Sequence, residues 1–419
     1  MDLRRLRYFL AVAEHENFHR AADALHVAQS ALSRHVADLE IEIGAALFER
    51  FAKGVRLTHA NLLSSLRGMT QGAAMTAADS FFGWMPLTHD MGLIAFHLWP
   101  TYLGVDQFIL DTPLFIRRPG LWLAKASQHR ATVLGSPDFG CQLLLASLRA
   151  GQSPDWDLSS VRLLFNAAEP ISAQVCDRFL EALAPCGLAR QAMYTCYGLA
   201  ETAVGAAFPS PGRELVRVHL DRDALSPGDQ ARELPAGHPQ AATFVVEGHP
   251  LPGTGIAIHD HQGRPLPEGR LGRVVLRGPS VTAGYHGDPE ATAQALNPEG
   301  WLDTGDLGLV LRGQLVITGR IKDVIFSRGQ NFFSHDLERV AESTPGLGPG
   351  KALAVGLTNP DRQAEEVVVF LRHRSRELAG FASLAERVAE AIARDLGLAV
   401  DHVLPVAVIP KTTSGKLRR

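Results

Sequence analysis

Two residue patterns meet near residue 58, and they are typical of two different kinds of domain. Before that point, apolar residues recur every three or four positions, which is the spacing of amphipathic helices. After it, apolar runs typical of strands alternate with helical stretches and glycine turns, as in an α/β protein. A length of 419 residues accommodates about two to four domains. The sequence therefore predicts a multidomain chain in which a small helical part precedes a larger α/β part.

The composition is that of an ordinary globular protein. With a formal net charge of −3, the overall charge neither favours nor excludes a nucleic-acid partner. The four cysteines include no pair at two-residue spacing, so we expect buried, reduced thiols rather than a zinc cluster or a disulfide framework. The N-terminal residues lack the apolar run of a secretory signal, and no long uncharged apolar stretch follows. We therefore expect a cytoplasmic protein without a membrane span.

The first segment predicts a unit of three helices. The second helix begins after Asn17, a favourable N-cap residue, and the third ends at Gly44. The small side chains of Ala21 and Ala22 let the second helix approach the third closely. The apolar positions are Leu3, Leu6, Leu10 and Ala13 in the first helix, Phe18, Ala21, Ala22 and Leu25 in the second, and Leu32, Val36, Leu39 and Ile43 in the third.

The first turns of the third helix carry residue types that read DNA grooves. These residues are Gln29, Ser30, Ser33 and Arg34. Glutamine makes bidentate contacts with adenine, arginine binds guanine or phosphate, and serine binds bases or phosphates. Residues 47–58 predict a two-stranded wing, on which Lys53 and Arg56 would flank the DNA backbone.

Four strings of this segment, at residues 6–9 (LRYF), 21–25 (AADAL), 29–34 (QSALSR) and 47–50 (LFER), together resemble the DNA-binding domain of LysR-type regulators. The resemblance covers residues 1–58 and implies an all-α winged helix-turn-helix with double-stranded DNA as its partner. Basic and acidic residues are equal in number over this segment, eight of each, so a monomer is expected to bind weakly. Residues 59–75 are only weakly helical because of Gly68 and Gly72, which leaves a homodimer through this stretch open.

A series of motifs with polar residues at loop positions follows in the α/β part. In chain order they are 84–93 (WMPLTHDMGL), 166–170 (NAAEP), 194–202 (YTCYGLAET), 300–308 (GWLDTGDLG), 318–325 (TGRIKDVI), 329–338 (GQNFFSHDLE) and 410–419 (PKTTSGKLRR). Together they resemble the motifs of adenylate-forming enzymes, in particular fatty acyl-AMP ligases and acyl-CoA synthetases. The resemblance implies ATP and Mg²⁺ as cofactors, a carboxylic acid as substrate, and coenzyme A or a carrier protein in trans as acceptor.

The resemblance also implies a nucleotide site. By this carry-over, Tyr197 stacks on adenine, and Ala168 with its neighbours lines the other face of the base. Asp306 accepts hydrogen bonds from both ribose hydroxyls, and Arg320 contacts the ribose or the phosphates. Thr202 contacts the α-phosphate.

Four further residues receive roles from the same resemblance. Glu201 would hold Mg²⁺, and a hard cation on an oxygen ligand stabilises the charge that accumulates as pyrophosphate leaves. Lys416 would contact the carboxylate and the α-phosphate bridge as a catalytic cation. His89 would border the acyl pocket. Lys322 would be the hinge about which a small C-terminal domain rotates between half-reactions.

The predicted fold class is a winged helix-turn-helix at 1–58, an incomplete α/β adenylate-forming domain at 59–318, and a small α+β domain at 319–419. The domain is interpreted as incomplete because only the tail of the family's phosphate-binding loop is recognisable, in residues 53–63. Residues 54–58 equally match the end of a LysR-type wing. We expect the α/β sheet to have lost neighbouring strands and residues 80–210 to be poorly stable.

Three hypotheses follow from the sequence. The first is a DNA-binding regulator fused to a ligase remnant that lacks its phosphate-binding loop. The second is a working ligase that activates a fatty or aryl carboxylate with ATP. The third is a nonfunctional recombination product.

Overall fold

The computed structural model describes residues 8, 11–12, 18–25, 27, 31–32, 35–36, 54–148, 155–327, 330–348, 350–359, 364–373 and 378–409. Its contacts divide the chain into two compact units, Met1–Gly54 and Val55–Arg419. The first unit ends four residues before the domain boundary predicted at residue 58. Among the described residues, no helix is long and apolar enough to cross a membrane.

The first unit has a small apolar core around the helix Phe18–Leu25. Ala21 and Ala22 are buried in this core together with Leu32 and Val36, as the helical periodicity predicts, and with Val12, which was not among the predicted positions. The predicted DNA-contacting residues Gln29, Ser30, Ser33, Arg34 and Lys53 lie outside the described residues.

The second unit begins with a segment that the sequence analysis assigned to the wing. Arg56 donates its backbone N–H to the carbonyl of Gly284 at 2.9 Å, and Val55 pairs with Tyr285. Thr58 then caps the helix His59–Gly72 through a capping box with Asn61. The backbone of Arg56, a predicted DNA contact, is therefore built into the larger unit.

The helix His59–Gly72 forms although it contains two glycines. Both glycines lie where neighbouring residues leave little room for a side chain. A Cβ at Gly72 would lie 2.4 Å from the Leu251 side chain, and one at Gly68 would lie 3.2 Å from the Pro252 carbonyl. Tertiary packing thus outweighs the low helix propensity of glycine, as is common in proteins.

A five-stranded parallel sheet forms the centre of the second unit. Its strands are β1 (Phe81–Gly83), β2 (Gln107–Ile109), β3 (Val133–Gly135), β4 (Leu163–Asn166) and β5 (Met193–Thr195), in the order β2-β1-β3-β4-β5. Every residue of β1, β3, β4 and β5 is buried, which is typical of parallel strands covered on both faces. The helices between them are Met91–Leu98, a π-helix, then Trp99–Leu103, Thr112–Arg117, Gly120–Gln128, Asp138–Ser147 and Ala173–Leu183.

Antiparallel strands follow. The short strands are β6 (Ala207–Phe208), β7 (Arg217–Asp221), β8 (Ala241–Val245) and β9 (His249–Pro250), and they pair as β6 with β9 and β7 with β8. A four-stranded sheet then joins β10 (Gly255–His259), β11 (Gly272–Arg277), β12 (Leu302–Leu311) and β13 (Gln314–Arg320) in chain order, with the helix Pro289–Ala295 between β11 and β12.

The C-terminal part has its own apolar core. The hairpin β14 (Val324–Ser327) and β15 (Gln330–Phe333) precedes a three-stranded sheet of β16 (Ala352–Asn359), β17 (Ala364–Arg372) and β18 (His402–Val406). The helices Ser334–Ser343 and Leu378–Leu396 accompany this sheet. A small α+β domain at the C-terminal end is thereby confirmed.

Candidate functional site

A buried aspartate lies at the centre of the predicted nucleotide site. Asp306 on β12 stands directly opposite Arg320 on β13, and Arg320 Nε donates to Asp306 Oδ1 at 3.0 Å. The other oxygen, Oδ2, accepts a hydrogen bond from the Tyr197 hydroxyl at 2.6 Å. Burial raises the pKa of Tyr197 well above its usual range, and the Asp306 charge adds to the effect. The structure therefore brings together three residues that the sequence places in three separate motifs.

The loop that follows Tyr197 has a strained backbone. Ala203 has a φ of 52° and Val204 a φ of 84°, a conformation that β-branched residues rarely adopt. The loop is also too tight for a side chain at Gly198, where a Cβ would lie 1.6 Å from the Val204 carbonyl oxygen. Ala168, predicted for the other face of the base, has a φ of 77°. Backbone strain clusters at functional sites, so these segments are functional candidates independently of their sequence motifs.

Glu201 and Thr202 lie in a single 3-10 turn, Ala200–Thr202, of this loop. Glu201 is half-buried, and its Oε1 accepts a hydrogen bond from the Tyr285 hydroxyl at 2.8 Å. Thr202 is fully buried, and its hydroxyl donates to the carbonyl of Leu199 at 3.0 Å. The resemblance implies a contact between Thr202 and an α-phosphate. For the Thr202 hydroxyl to donate to that phosphate, it must break its hydrogen bond to the Leu199 carbonyl.

The Ala168 segment is linked to a neighbouring helix by two hydrogen bonds. Glu169 Oε1 accepts from the backbone N–H of Phe139 at 2.6 Å, in the first turn of the helix Asp138–Ser147. Asn166 Nδ2 donates to the buried Asp138 at 3.1 Å. Burial raises the pKa of the Asp138 carboxyl to about 6. The sequence alone does not single out Asp138, because an aspartate in the first turn of a helix is common and stabilises the helix end.

The predicted acyl-pocket residue His89 lies in the turn before the π-helix Met91–Leu98. Its Nδ1 is 2.8 Å from Asp90 Oδ1, and its side chain is 14% exposed. The turn packs closely against Gly92, the second residue of this helix, since a Cβ there would lie 2.2 Å from the Pro86 carbonyl oxygen. π-Helical turns occur frequently at functional sites, which agrees with a role for this segment.

Two predicted residues concern the C-terminal domain. Lys322 is exposed in a short 3-10 turn, Ile321–Asp323, that joins β13 to β14. This turn connects two different sheets, as a hinge would. Lys416 lies outside the described residues.

All four cysteines, Cys141, Cys176, Cys186 and Cys196, are free and buried, as expected. In the described part of the chain, no group of three or more His, Cys, Asp or Glu side chains could hold a metal ion. Mg²⁺ needs no such group, because it binds through one or two carboxylates together with substrate phosphates and water. The half-buried Glu201 carboxylate fits that donor set.

A separate surface groove of about 340 Å³ contains none of the predicted site residues. It lies beside the Arg273–Asp303 ion pair and the tilted rings of His259 and Trp301. Although Asp303 shares strand β12 with Asp306, the two carboxylates have different partners.

Comparison with protein families separates the two parts of the chain. The model described as "Bacterial regulatory helix-turn-helix protein, lysR family" matches residues 3–60. The model described as "AMP-binding enzyme" matches residues 51–286. The two matches therefore share residues 51–60, the region in which the sequence analysis found one string that serves both families.

Individual relatives are ligases. The chain is 32% identical to the medium-chain-fatty-acid [acyl-carrier-protein] ligase TtuA of Teredinibacter turnerae, over 88% of this chain and 60% of that protein. It is also 32% identical to a 4-hydroxyphenylalkanoate adenylyltransferase of Mycobacterium tuberculosis, over 88% of this chain and 62% of that protein. The chain spans 60% to 68% of the length of these and two further curated relatives.

Solved structures agree with this assignment. A structure from a study of fatty acyl-adenylate ligases of E. coli and L. pneumophila matches with a TM-score of 0.81 and 34% identity, over 88% of this chain and 66% of that chain. McyG A-PCP in complex with phenylalanyl-adenylate matches with a TM-score of 0.76 and 28% identity, over 87% of this chain and 62% of that chain. The chain belongs to the AMP-binding enzyme family, and its first residues match the LysR-type helix-turn-helix family.

Proposed function

We propose that residues 55–419 bind ATP and a carboxylic acid and join them into an acyl-adenylate. The observation that carries this proposal is the Asp306 carboxylate, buried and held between the Tyr197 hydroxyl and Arg320. A buried carboxylate whose two oxygens already accept hydrogen bonds can accept the two hydroxyls of a ribose in the same way. Tyr197 and Arg320, the two hydrogen-bond partners of Asp306, each lie in a motif that the family resemblance assigns to the nucleotide.

In the proposed reaction, a carboxylate oxygen of the acid attacks the α-phosphorus of ATP. The bond from that phosphorus to the bridging oxygen breaks, and pyrophosphate leaves with both bonding electrons. Asp306 fixes the ribose, Tyr197 and the Ala168 segment hold the base, and Arg320 faces the negative charge. Mg²⁺ on Glu201 would neutralise charge on the phosphate oxygens. Lys416 is proposed as the cation at the carboxylate.

The substrate class and acceptor are proposed from the relatives. Their names include a medium-chain fatty acid, a hydroxyphenylalkanoate and an acyl carrier protein. We propose a fatty or aryl acid as substrate, and a thiol of coenzyme A or of a carrier protein in trans as acceptor. The π-helical segment around His89 would border the acyl group.

The experiment is carboxylate-dependent exchange of labelled pyrophosphate into ATP, measured with the full chain, Mg²⁺ and a panel of fatty and aryl acids. We expect exchange with at least one acid, lowered roughly 100-fold by Asp306→Asn, which weakens two charge-assisted hydrogen bonds to the ribose. Asp303→Asn is the matched control, because this aspartate lies on the same strand but pairs with Arg273. Exchange that no acid supports would show that the chain does not form an acyl-adenylate.

A second function is proposed for the first unit, namely binding to double-stranded DNA. The buried cluster around Ala21 and Ala22 supports it, since close packing of the second and third helices is what presents the third helix to a groove. DNA retention by the full chain should fall steeply with salt, and Arg34→Ala should lower both affinity and salt slope. Arg117→Ala, on the helix Thr112–Arg117, is the control. Salt-independent retention would contradict this proposal.

A further inference from the structure

The loop that carries Glu201 is held from outside by three residues. Ser65, on the helix His59–Gly72, donates its hydroxyl to the Ala203 carbonyl at 2.6 Å. Thr282 donates its backbone N–H to the Glu201 carbonyl at 2.7 Å. Tyr285 donates its hydroxyl to the Glu201 carboxylate at 2.8 Å. Of these three contacts, only the last fixes the side chain of Glu201 rather than the backbone of the loop.

Tyr285 is itself well anchored. Its backbone N–H donates at 2.9 Å to the hydroxyl of Thr292, which lies in the helix Pro289–Ala295, and its side chain is half-buried. Tyr285 also pairs with Val55, the first residue of the second unit. The ring therefore reaches Glu201 from a fixed backbone position.

Residues 55–61, which we call the strap, add to this anchoring. Within the strap, Arg56 bonds through its N–H to the Gly284 carbonyl at 2.9 Å and through its carbonyl to the Thr282 hydroxyl at 2.6 Å. Asn61 Nδ2 donates to the carbonyls of Pro279 at 2.8 Å and Val281 at 2.9 Å. The strap thus holds both ends of the loop that carries Thr282 and Tyr285.

We propose that Tyr285 is a positioning residue for the Glu201 carboxylate and that the strap holds Tyr285 in place. The inference rests on the proposed function, because it concerns the Glu201 at which Mg²⁺ would bind with the nucleotide. A hydroxyl that donates to Oε1 limits rotation of the Glu201 carboxylate. A ligand held in its binding orientation loses less conformational entropy when the cation binds, so the cation binds more tightly.

The test is a Mg²⁺ titration of the unfolding midpoint of the full chain at fixed ATP, with Tyr285→Phe as the variant. A ligand that binds only the folded state raises the midpoint, which gives an apparent Mg²⁺ affinity. We expect Tyr285→Phe to weaken that affinity about tenfold, while the midpoint rise with ATP and no metal is unchanged. Tyr102→Phe is the matched control, since Tyr102 is an exposed tyrosine.

The outcomes separate this inference from the proposed function. No response of the parent chain to ATP, with or without Mg²⁺, overturns both. A response to ATP whose Mg²⁺ dependence is the same in Tyr285→Phe as in the parent overturns the positioning role alone. A lower midpoint of Tyr285→Phe without ligand, with unchanged Mg²⁺ affinity, likewise assigns Tyr285 a structural role only.

Asn61→Ala tests the strap. It removes both hydrogen bonds to the loop carbonyls as well as one half of the capping box. We expect the Mg²⁺ affinity to weaken in the same direction as in Tyr285→Phe, and amide hydrogen exchange at Arg56 to become faster. Unchanged Mg²⁺ affinity together with faster exchange would show that the strap does not hold Tyr285 for Glu201.

Discussion

Buried carboxylates are the residues whose environment says most about this molecule. Asp306 keeps two charge-assisted hydrogen bonds, whereas Glu247 is fully enclosed and accepts a backbone hydrogen bond from Ile317 at 3.0 Å. Burial raises the pKa of Glu247 well above its usual range. Arg320 gives Asp306 a cationic partner. The structure therefore contains one buried carboxylate paired with a cation and another whose pKa is raised by burial.

Glu247→Gln should make the protein less sensitive to alkaline pH. Because the folded-state pKa is raised, the folded chain holds a proton that the unfolded chain releases above about pH 4.5. The parent's free energy of unfolding should therefore fall as the pH rises above about 4.5, with a limiting slope of about 1.4 kcal/mol per pH unit. Denaturant unfolding at several pH values measures this slope, which should flatten in the variant. Equal slopes in both proteins would mean that Glu247 is ionised when folded.

Gly198→Ala should destabilise the loop of the candidate site. The new Cβ would lie 1.6 Å from the backbone oxygen of Val204, so backbone atoms must move, at a cost of roughly 3 kcal/mol. Gly380→Ala is the matched control, since that glycine lies in the helix Leu378–Leu396 with open space around its Cβ position. The control should be stabilised by about 0.5 to 1 kcal/mol. Similar unfolding midpoints for both variants would show that the loop can relax.

At the scale of elements, the sequence predicted what depends on local pattern and missed what depends on contact across the fold. The apolar periodicity correctly indicated that Ala21 and Ala22 lie on the buried side of the helix Phe18–Leu25. The helix His59–Gly72 was undervalued, because its glycines pack against Leu251 and Pro252, far away in the sequence. Tyr285 was missed for the same reason: its partner Glu201 is 84 residues away.

Strand β2 lies at an edge of the parallel sheet, where unwanted association between molecules can begin. Ile109, at the end of this strand, is 49% exposed. Exposed apolar edges promote pairing between molecules, so Ile109→Lys should lower aggregation on heating without lowering the unfolding midpoint. Light scattering during a thermal ramp measures this. Val216→Lys, at a similarly exposed valine outside any strand, is the control, and an equal effect of both changes would exclude a role for the edge.

At the scale of the whole molecule, one stretch of sequence matches two families, and from Val55 onward it belongs to the larger unit. Residues 51–60 match both the helix-turn-helix and the AMP-binding models. From Val55 onward, backbone hydrogen bonds tie this stretch to the loop beside Glu201. Sequence similarity alone could not assign residues 55–60, because the same string satisfies a wing and a ligase, whereas hydrogen bonds assign these residues to the larger unit.

The central claim is that this chain builds an acyl-adenylate site, and thermal unfolding with a nonhydrolysable acyl-adenylate analogue tests it most directly. An acyl-adenylate keeps the adenosine, the α-phosphate and the acyl group, the parts to which the candidate residues are assigned. We predict a cooperative transition of the full chain whose midpoint rises with analogue concentration, and a much smaller rise for Asp306→Asn. A cooperative transition that the analogue does not shift at any concentration would contradict the claim.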